Sequence, residues 1–173
     1  MARVPQIDYN TASEEARAAH DEHLKIGKMT NMKRTLLNNV PSFKALMEWY
    51  TLRDEAARFL TSLDINIFCY SISSENDCLI CTTFFAKILK DEHAYTDDFA
   101  YTPKQEALVA FGRQLVHDPH GVSDELFDSL RSFFNDEQLV VLTSFGAIMI
   151  ATNMINTVLK VELDGYLEGY RQK

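Results

Sequence analysis

With 173 residues, 46% hydrophobic and 24% charged, the chain has an ordinary globular composition and enough length to bury a core. Twenty-five acidic residues against 17 basic ones give a formal charge of −8, and the longest basic stretch, residues 25–34, is too short for a nucleic-acid footprint. Six Gly and four Pro are too few for a loop-rich or all-β architecture.

The opening hexapeptide, Met1 to Gln6, carries no apolar segment of the kind a secretion signal needs, so a cytoplasmic chain is expected. Thr11-Ala12-Ser13-Glu14 then opens a polar, Ala-rich helix reaching about Lys25. Residues 25–39 read as a loop with a short helix. Pro41 sits at a first helical position, and Phe43, Leu46, Met47 and Tyr50 follow at helical spacing, which predicts an amphipathic helix over 41–59. Residues 62–73, with Leu63, Ile65, Ile67, Phe68 and Ile72, predict a buried helix. Ser74-Glu75-Asn76-Asp77 resembles a capping box and predicts the start of a helix over 78–90. The acidic stretch 91–101 reads as loop. Thr102-Pro103-Lys104-Gln105 is a further start signal, for a helix carrying Ala107, Leu108, Phe111 and Leu115, and Asp118-Pro119-His120-Gly121 breaks it. Ser123 caps a short helix through Phe133. Asn135 to Gln138 cap the last one, whose residues 139–159 contain no charge. That run is long enough to span a bilayer, yet Asn153 and Asn156 would be costly facing lipid. A helix buried in a core or a subunit interface is the better reading. The expectation is one all-α domain over 1–173 with seven or eight helices, of which 1–28 form an N-terminal extension.

The specific chemical signal is Cys78-Leu79-Ile80-Cys81. Cysteines three apart share one helix face and are close enough for a disulfide across one turn. At a helix N-terminus, unsatisfied N–H groups and the macrodipole favour a thiolate. One thiolate can attack a peroxide or disulfide and the other resolve the product. Three cysteines are an odd count, which argues against a disulfide framework and for reduced thiols. Two buried structural cysteines are the plainer alternative. Zinc needs two further ligands at suitable spacing, and none is present, so neither a metal nor a cofactor is expected.

The segment from Asn66 through Cys81 resembles the core of the alkylhydroperoxidase D and carboxymuconolactone decarboxylase superfamily, in which a helix, a short turn often ending in Asn, one residue and Cys-x-x-Cys follow one another. The stretches Met29 to Phe43, Thr102 to Leu108 and Asp118 to Ser123, with the helix ending near Leu163-Asp164, are similar to its peroxidase-related branch. The resemblance implies an all-α alkylhydroperoxidase D-like bundle and a homo-oligomer, whether trimer, hexamer or dimer. It also implies thiol-dependent reduction of a small hydroperoxide or disulfide at the expense of a thiol reductant, with Cys81 attacking and Cys78 resolving. Family members of alkylhydroperoxidase type add a Glu twelve residues before the first Cys and a His four after the second. Here those positions hold Asn66 and Phe85, and Ile80 stands where one type has a His, so weak activity is expected. A redox sensor or small-molecule binder that kept the fold and lost the relay is the alternative.

Other candidates read as structural. Glu75 and Asp77 are first-turn acids. Tyr70 and Cys69 are core residues. His20, His23, His93, His117 and His120 are surface residues at no mutual ligand spacing, and His93 could reach the dithiol only if its helix ends early or a second subunit supplies it.

Overall fold

The computed structural model describes residues 1–95 and 99–171; residues 96–98, within the expected 91–101 loop, lie outside the described residues. Eight α-helices and two 3₁₀ turns, with no strand, make up the described regular structure. They are α1 (Glu14–His23), α2 (Asn31–Leu36), α3 (Val40–Ala56), α4 (Ser62–Glu75), α5 (Leu79–Asp91), α6 (Pro103–His117), α7 (Asp124–Arg131) and α8 (Asp136–Leu159), with 3₁₀ turns at Pro119–Gly121 and Gly165–Tyr170. The all-α expectation holds.

Most helices begin where a short polar side chain can accept a backbone N–H. Ser13, Thr30, Asn39, Thr61, Thr102, Ser123 and Asn135 all do so, and Thr61, Thr102 and Asn135 complete capping boxes with Asp64, Gln105 and Gln138. The first helix opens within the 11–14 segment as expected, with Ser13 as its cap and Glu14 its first residue, while Thr11 is tied back to Asp8. The last long helix stops at Leu159 rather than near residue 163: Lys160 turns left-handed at φ 49°, and the Val161 N–H returns to the Asn156 carbonyl.

Helix α4 is the axle of the bundle. It packs on α5, α6 and α8 and buries Phe68, Cys69 and Ile72 completely. Phe68 stacks on Phe111 of α6 and tilts against Phe145 of α8, with ring centroids 6.2 Å away in both pairs. Glycine permits that close approach. A Cβ at Gly112 would strike the Ser71 hydroxyl, and one at Gly146 would come within 2.6 Å of Leu115. At the other end of α4 the buried Asp64 carboxylate accepts hydrogen bonds from Lys104 Nζ (2.6 Å) and Gln105 Nε2 (2.9 Å), tying the starts of α4 and α6 together. Burial pushes that carboxyl up, but bonds from Lys104, Gln105 and Thr61 more than offset it and hold it below its ordinary value.

A second apolar cluster joins α1 to α2 and α3 through Ala16, Ala19, Leu36, Leu37, Val40 and Phe43. By length and composition α8 could cross a membrane. In the bundle it packs on α3, α4, α5 and α6 and buries Leu142, Phe145 and Met149, which accounts for the apolar character of its inner face.

Candidate functional site

The dithiol is delivered by the turn that ends α4. Asn76 caps the helix, Asp77 steps into the left-handed region at φ 48°, and the N–H groups of Asp77 and Cys78 return to the carbonyls of Ser74 and Ser73, each at 3.1 Å. This paired closure satisfies carbonyls the helix would otherwise leave open. The expected helix start at 74–77 is therefore corrected. Ser74 and Glu75 form the last turn of α4, and Asp77 is the reversal between helices instead of a capping acid. Glu75 thus sits at the negative end of a helix dipole, where a first-turn role is ruled out. The next residue, Cys78, is itself the N-cap of α5, and Cys81 lies in that helix's first turn.

Both thiols are free and buried, Cys78 at 1% and Cys81 at 6% exposure. No side-chain cap bond closes at the start of α5, but the Ile80 and Cys81 N–H groups favour the anion of the Cys78 sulfur. The Cys81 S–H is the strongest influence on Cys78. Together with those N–H groups and the Thr157 hydroxyl it outweighs burial and pulls the Cys78 thiol down to about 7. Cys81 moves the opposite way, pushed well up by its bond to Cys78 and by burial, while the Asn156 amide donates to its sulfur at 3.2 Å. The two thiols behave as one acid whose first proton leaves near neutrality. Asn156 and Thr157 come from the last turns of α8. Reading the sequence did not single them out for the site, although two amides in a charge-free helix were the available signal.

The sulfurs stand between two spaces. Cys81 lines a cavity of about 480 Å³, walled mostly by apolar side chains including Met32, Leu46, Trp49, Phe84 and Met149. Cys78 lines a more polar cleft of about 620 Å³ with Asp77, Lys160, Glu162, Glu168 and Arg171. Of the two relay positions, Phe85 is in the cavity wall next to Cys81, whereas Asn66 does not line it and donates instead to the Ser62 hydroxyl at 3.5 Å. Ile80 lines both spaces.

The remaining candidates take no part in the sulfur pair, although Cys69 packs in the same core cluster. Cys69 is fully buried, and burial pushes its thiol far up. Tyr70 is bonded to the Tyr95 hydroxyl at 3.0 Å. Helix α5 ends at Asp91, and His93, left-handed at φ 56°, is exposed beyond it; it lines neither space. His117 and His120 are exposed, while His20 is half-buried beside Asp21. His23 departs from the surface expectation. It is 3% exposed, edge-on to Phe43 and Tyr50, with its Nε2 lacking a hydrogen-bond partner, because α1 folds back onto α3. Among the described residues no group of three His, Cys, Asp or Glu side chains is arranged to hold a metal ion.

At the level of sequence, no family model and no curated protein matches the chain. Solved structures do match. A peroxidase-related protein with an alkylhydroperoxidase D core, from Ralstonia eutropha JMP134, superposes with a TM-score of 0.75 at 18% identity over 96% of this chain and 94% of its own. The debrominase Bmp8 superposes at 0.74 and 19% identity over 96% and 95%, and a cysteine-to-alanine variant of it was solved with 2,3,4-tribromopyrrole. A peroxidase-related protein from Silicibacter sp. TM1040 gives 0.72 and 16% over 95% of each chain. The fold is that of the alkylhydroperoxidase D core.

Proposed function

We propose that the Cys78/Cys81 pair reduces a small hydroperoxide or disulfide at the expense of an external thiol, in a reducing compartment such as the cytoplasm. The observation that carries this reading is the placement of two free, buried thiols at the start of α5, one of them opening onto an apolar cavity. Cys81 is the attacking sulfur in this scheme because it faces the cavity. Its proton passes along the hydrogen bond to Cys78, and Cys81 attacks the distal peroxide oxygen as the O–O bond breaks. The departing alkoxide takes the proton from Cys78, which covers part of the task of the relay absent at Asn66 and Phe85. The Cys78 thiolate then attacks the Cys81 sulfenic acid. Hydroxide leaves and is protonated by solvent, and a disulfide joins the pair. Two equivalents of external thiol restore it.

The likeness to a debrominase supports a second electrophile class for the same pair, an apolar aryl halide, since the aromatic cavity suits one. The experiment is dithiothreitol-dependent consumption of cumene hydroperoxide by the wild type and Cys81→Ser. Slow turnover lost in the variant supports the reading. Equal consumption by both overturns it in favour of a redox sensor or binding protein that has kept the fold.

Self-association is part of the proposal. Val140, Thr143, Ala147, Met154 and Val158 follow one another at steps of three, four, seven and four residues along the outer face of α8, and Val140, Met154 and Val158 are more than half exposed. A second copy of this chain would cover that stripe. Sedimentation at micromolar concentration should give an oligomer that Val140→Glu/Met154→Glu dissociates; a wild-type monomer counts against it.

A further inference from the structure

The cavity has a second chemical end. Lys33, from α2, is only 6% exposed, and its ammonium donates to the Lys28 carbonyl at 2.7 Å and the Tyr50 hydroxyl at 2.8 Å. Two of its three N–H donors are thus used. No carboxylate lies within ion-pair distance of it among the described residues. Asp164, the acid lining the cavity, accepts the Asn31 N–H at 2.9 Å and faces Arg34 at 4.0 Å. Tyr50 Oη accepts from Lys33, and its own O–H has no acceptor among the described hydrogen bonds. Two groups at one wall of an apolar space, one of them cationic, therefore each keep one hydrogen uncommitted: the third N–H of Lys33 and the O–H of Tyr50.

A buried ammonium without a counter-charge is costly, because desolvation is not repaid by a partner. Burial accordingly brings the Lys33 amine down to about 8, with Asp164 pulling weakly the other way, and keeps the Tyr50 phenol above its ordinary value and protonated. Lys28, Lys33 and Lys87 line the cavity against the single carboxylate of Asp164. Lys87 is already paired with Asp91 outside it. An oxygen anion on a bound molecule would accept from both free donors and neutralise the buried charge, while the remainder of that molecule filled the space between Trp49, Phe84 and Met149. A cavity of about 480 Å³ is the size of an ordinary small-molecule site.

We propose that Lys33 and Tyr50 form an oxyanion-recognition site, so that the cavity takes an apolar monocarboxylate, held by its carboxylate at the α2/α3 end with its body extending toward Cys81. This rests on the redox reading only in calling that molecule a substrate; the binding itself needs no sulfur chemistry.

Trp49 is the chain's single tryptophan and lines the cavity, so its fluorescence reports occupancy without turnover. The test titrates 4-phenylbutanoate and its neutral counterpart 4-phenylbutanamide into the Cys78→Ser/Cys81→Ser protein, in which no redox step is possible. The acid should bind saturably and at least tenfold more tightly than the amide, the ratio expected for one charge-assisted hydrogen bond. Lys33→Met should remove that preference while leaving amide binding, and Tyr50→Phe, which changes less volume, should reduce it in part. Equal binding of acid and amide, a preference that survives Lys33→Met, or no saturable binding of either overturns the proposal. Loss of peroxide turnover in the wild type with the acid preference intact would overturn the redox reading alone.

Discussion

At one end of the cavity Cys81 lines the wall with Cys78 within the same helical turn, facing the neighbouring cleft, and the chain just ahead of them does most of the shaping. The closure at Asp77 sets Cys78 as an N-cap, and the first N–H groups of α5 surround its sulfur. At the other end Lys33 and Tyr50 come from different helices, and their 2.8 Å contact depends on α2 folding against α3 through Leu36, Leu37 and Phe43. One end is local chemistry that a short motif can announce; the other is produced by packing. They also differ in charge state. The sulfur end is a weak acid eased toward its anion by hydrogen bonds, and the lysine end is a base held away from full protonation by burial.

The strongest way to break the comparison is at the sulfurs. Under the proposed order, Cys78→Ser should stop after one equivalent of hydroperoxide and leave a Cys81 sulfenic acid that dimedone captures, detected by mass spectrometry. Trapping at residue 78 of the Cys81→Ser protein, with nothing at Cys81 in Cys78→Ser, would reverse the roles. A smaller effect is expected at Asn156, the one long-range donor to Cys81 among the described residues. Asn156→Leu should slow the attack about 10- to 100-fold, the usual worth of a hydrogen bond to a charged group. Rates of iodoacetamide alkylation across pH check this, and an unchanged profile would remove α8 from the site.

Stability near the lysine end should follow pH through His23. Burial, followed by the charges of Lys33 and His20, pushes this imidazole down to about 4. The unfolded chain takes up a proton near the ordinary value of 6.5 and the folded chain does not, so stability is lost as pH falls from about 6.5 to 4. His23→Phe should flatten the melting temperature over that window; a parallel decline in both proteins would locate the acid sensitivity elsewhere. The smallest effect concerns the turn itself. Asp77 occupies a left-handed position that glycine takes with less strain. Asp77→Gly should stabilise the fold by about 0.5 kcal/mol, or about 1–2 °C in melting temperature, since Asp tolerates that region better than most residues. Destabilisation would mean that the Asp77 carboxylate contributes more than its backbone costs.

Several elements were legible in the sequence because their causes are local. Pro41 and Pro103 lie in the first turns of α3 and α6, Thr102 and Asn135 cap where the side-chain pattern says they should, and the charge-free 139–159 run is helical throughout. The 74–77 segment was misread for an equally local reason. Ser and Asp three apart suit a helix start, but α4 continues to Glu75, so the same residues satisfy its carbonyls instead. Periodicity, capping chemistry and the Cys-x-x-Cys spacing thus determined the helices and the sulfur pair. Only the tertiary structure decided which sulfur faces the cavity, that Asn156 reaches Cys81 from 75 positions away, that Asn66 stays outside the cavity wall, and that His23 and Lys33 are buried. Those are properties of surfaces brought together by packing, and the interaction of a side chain with a neighbour distant in the chain leaves no spacing to read.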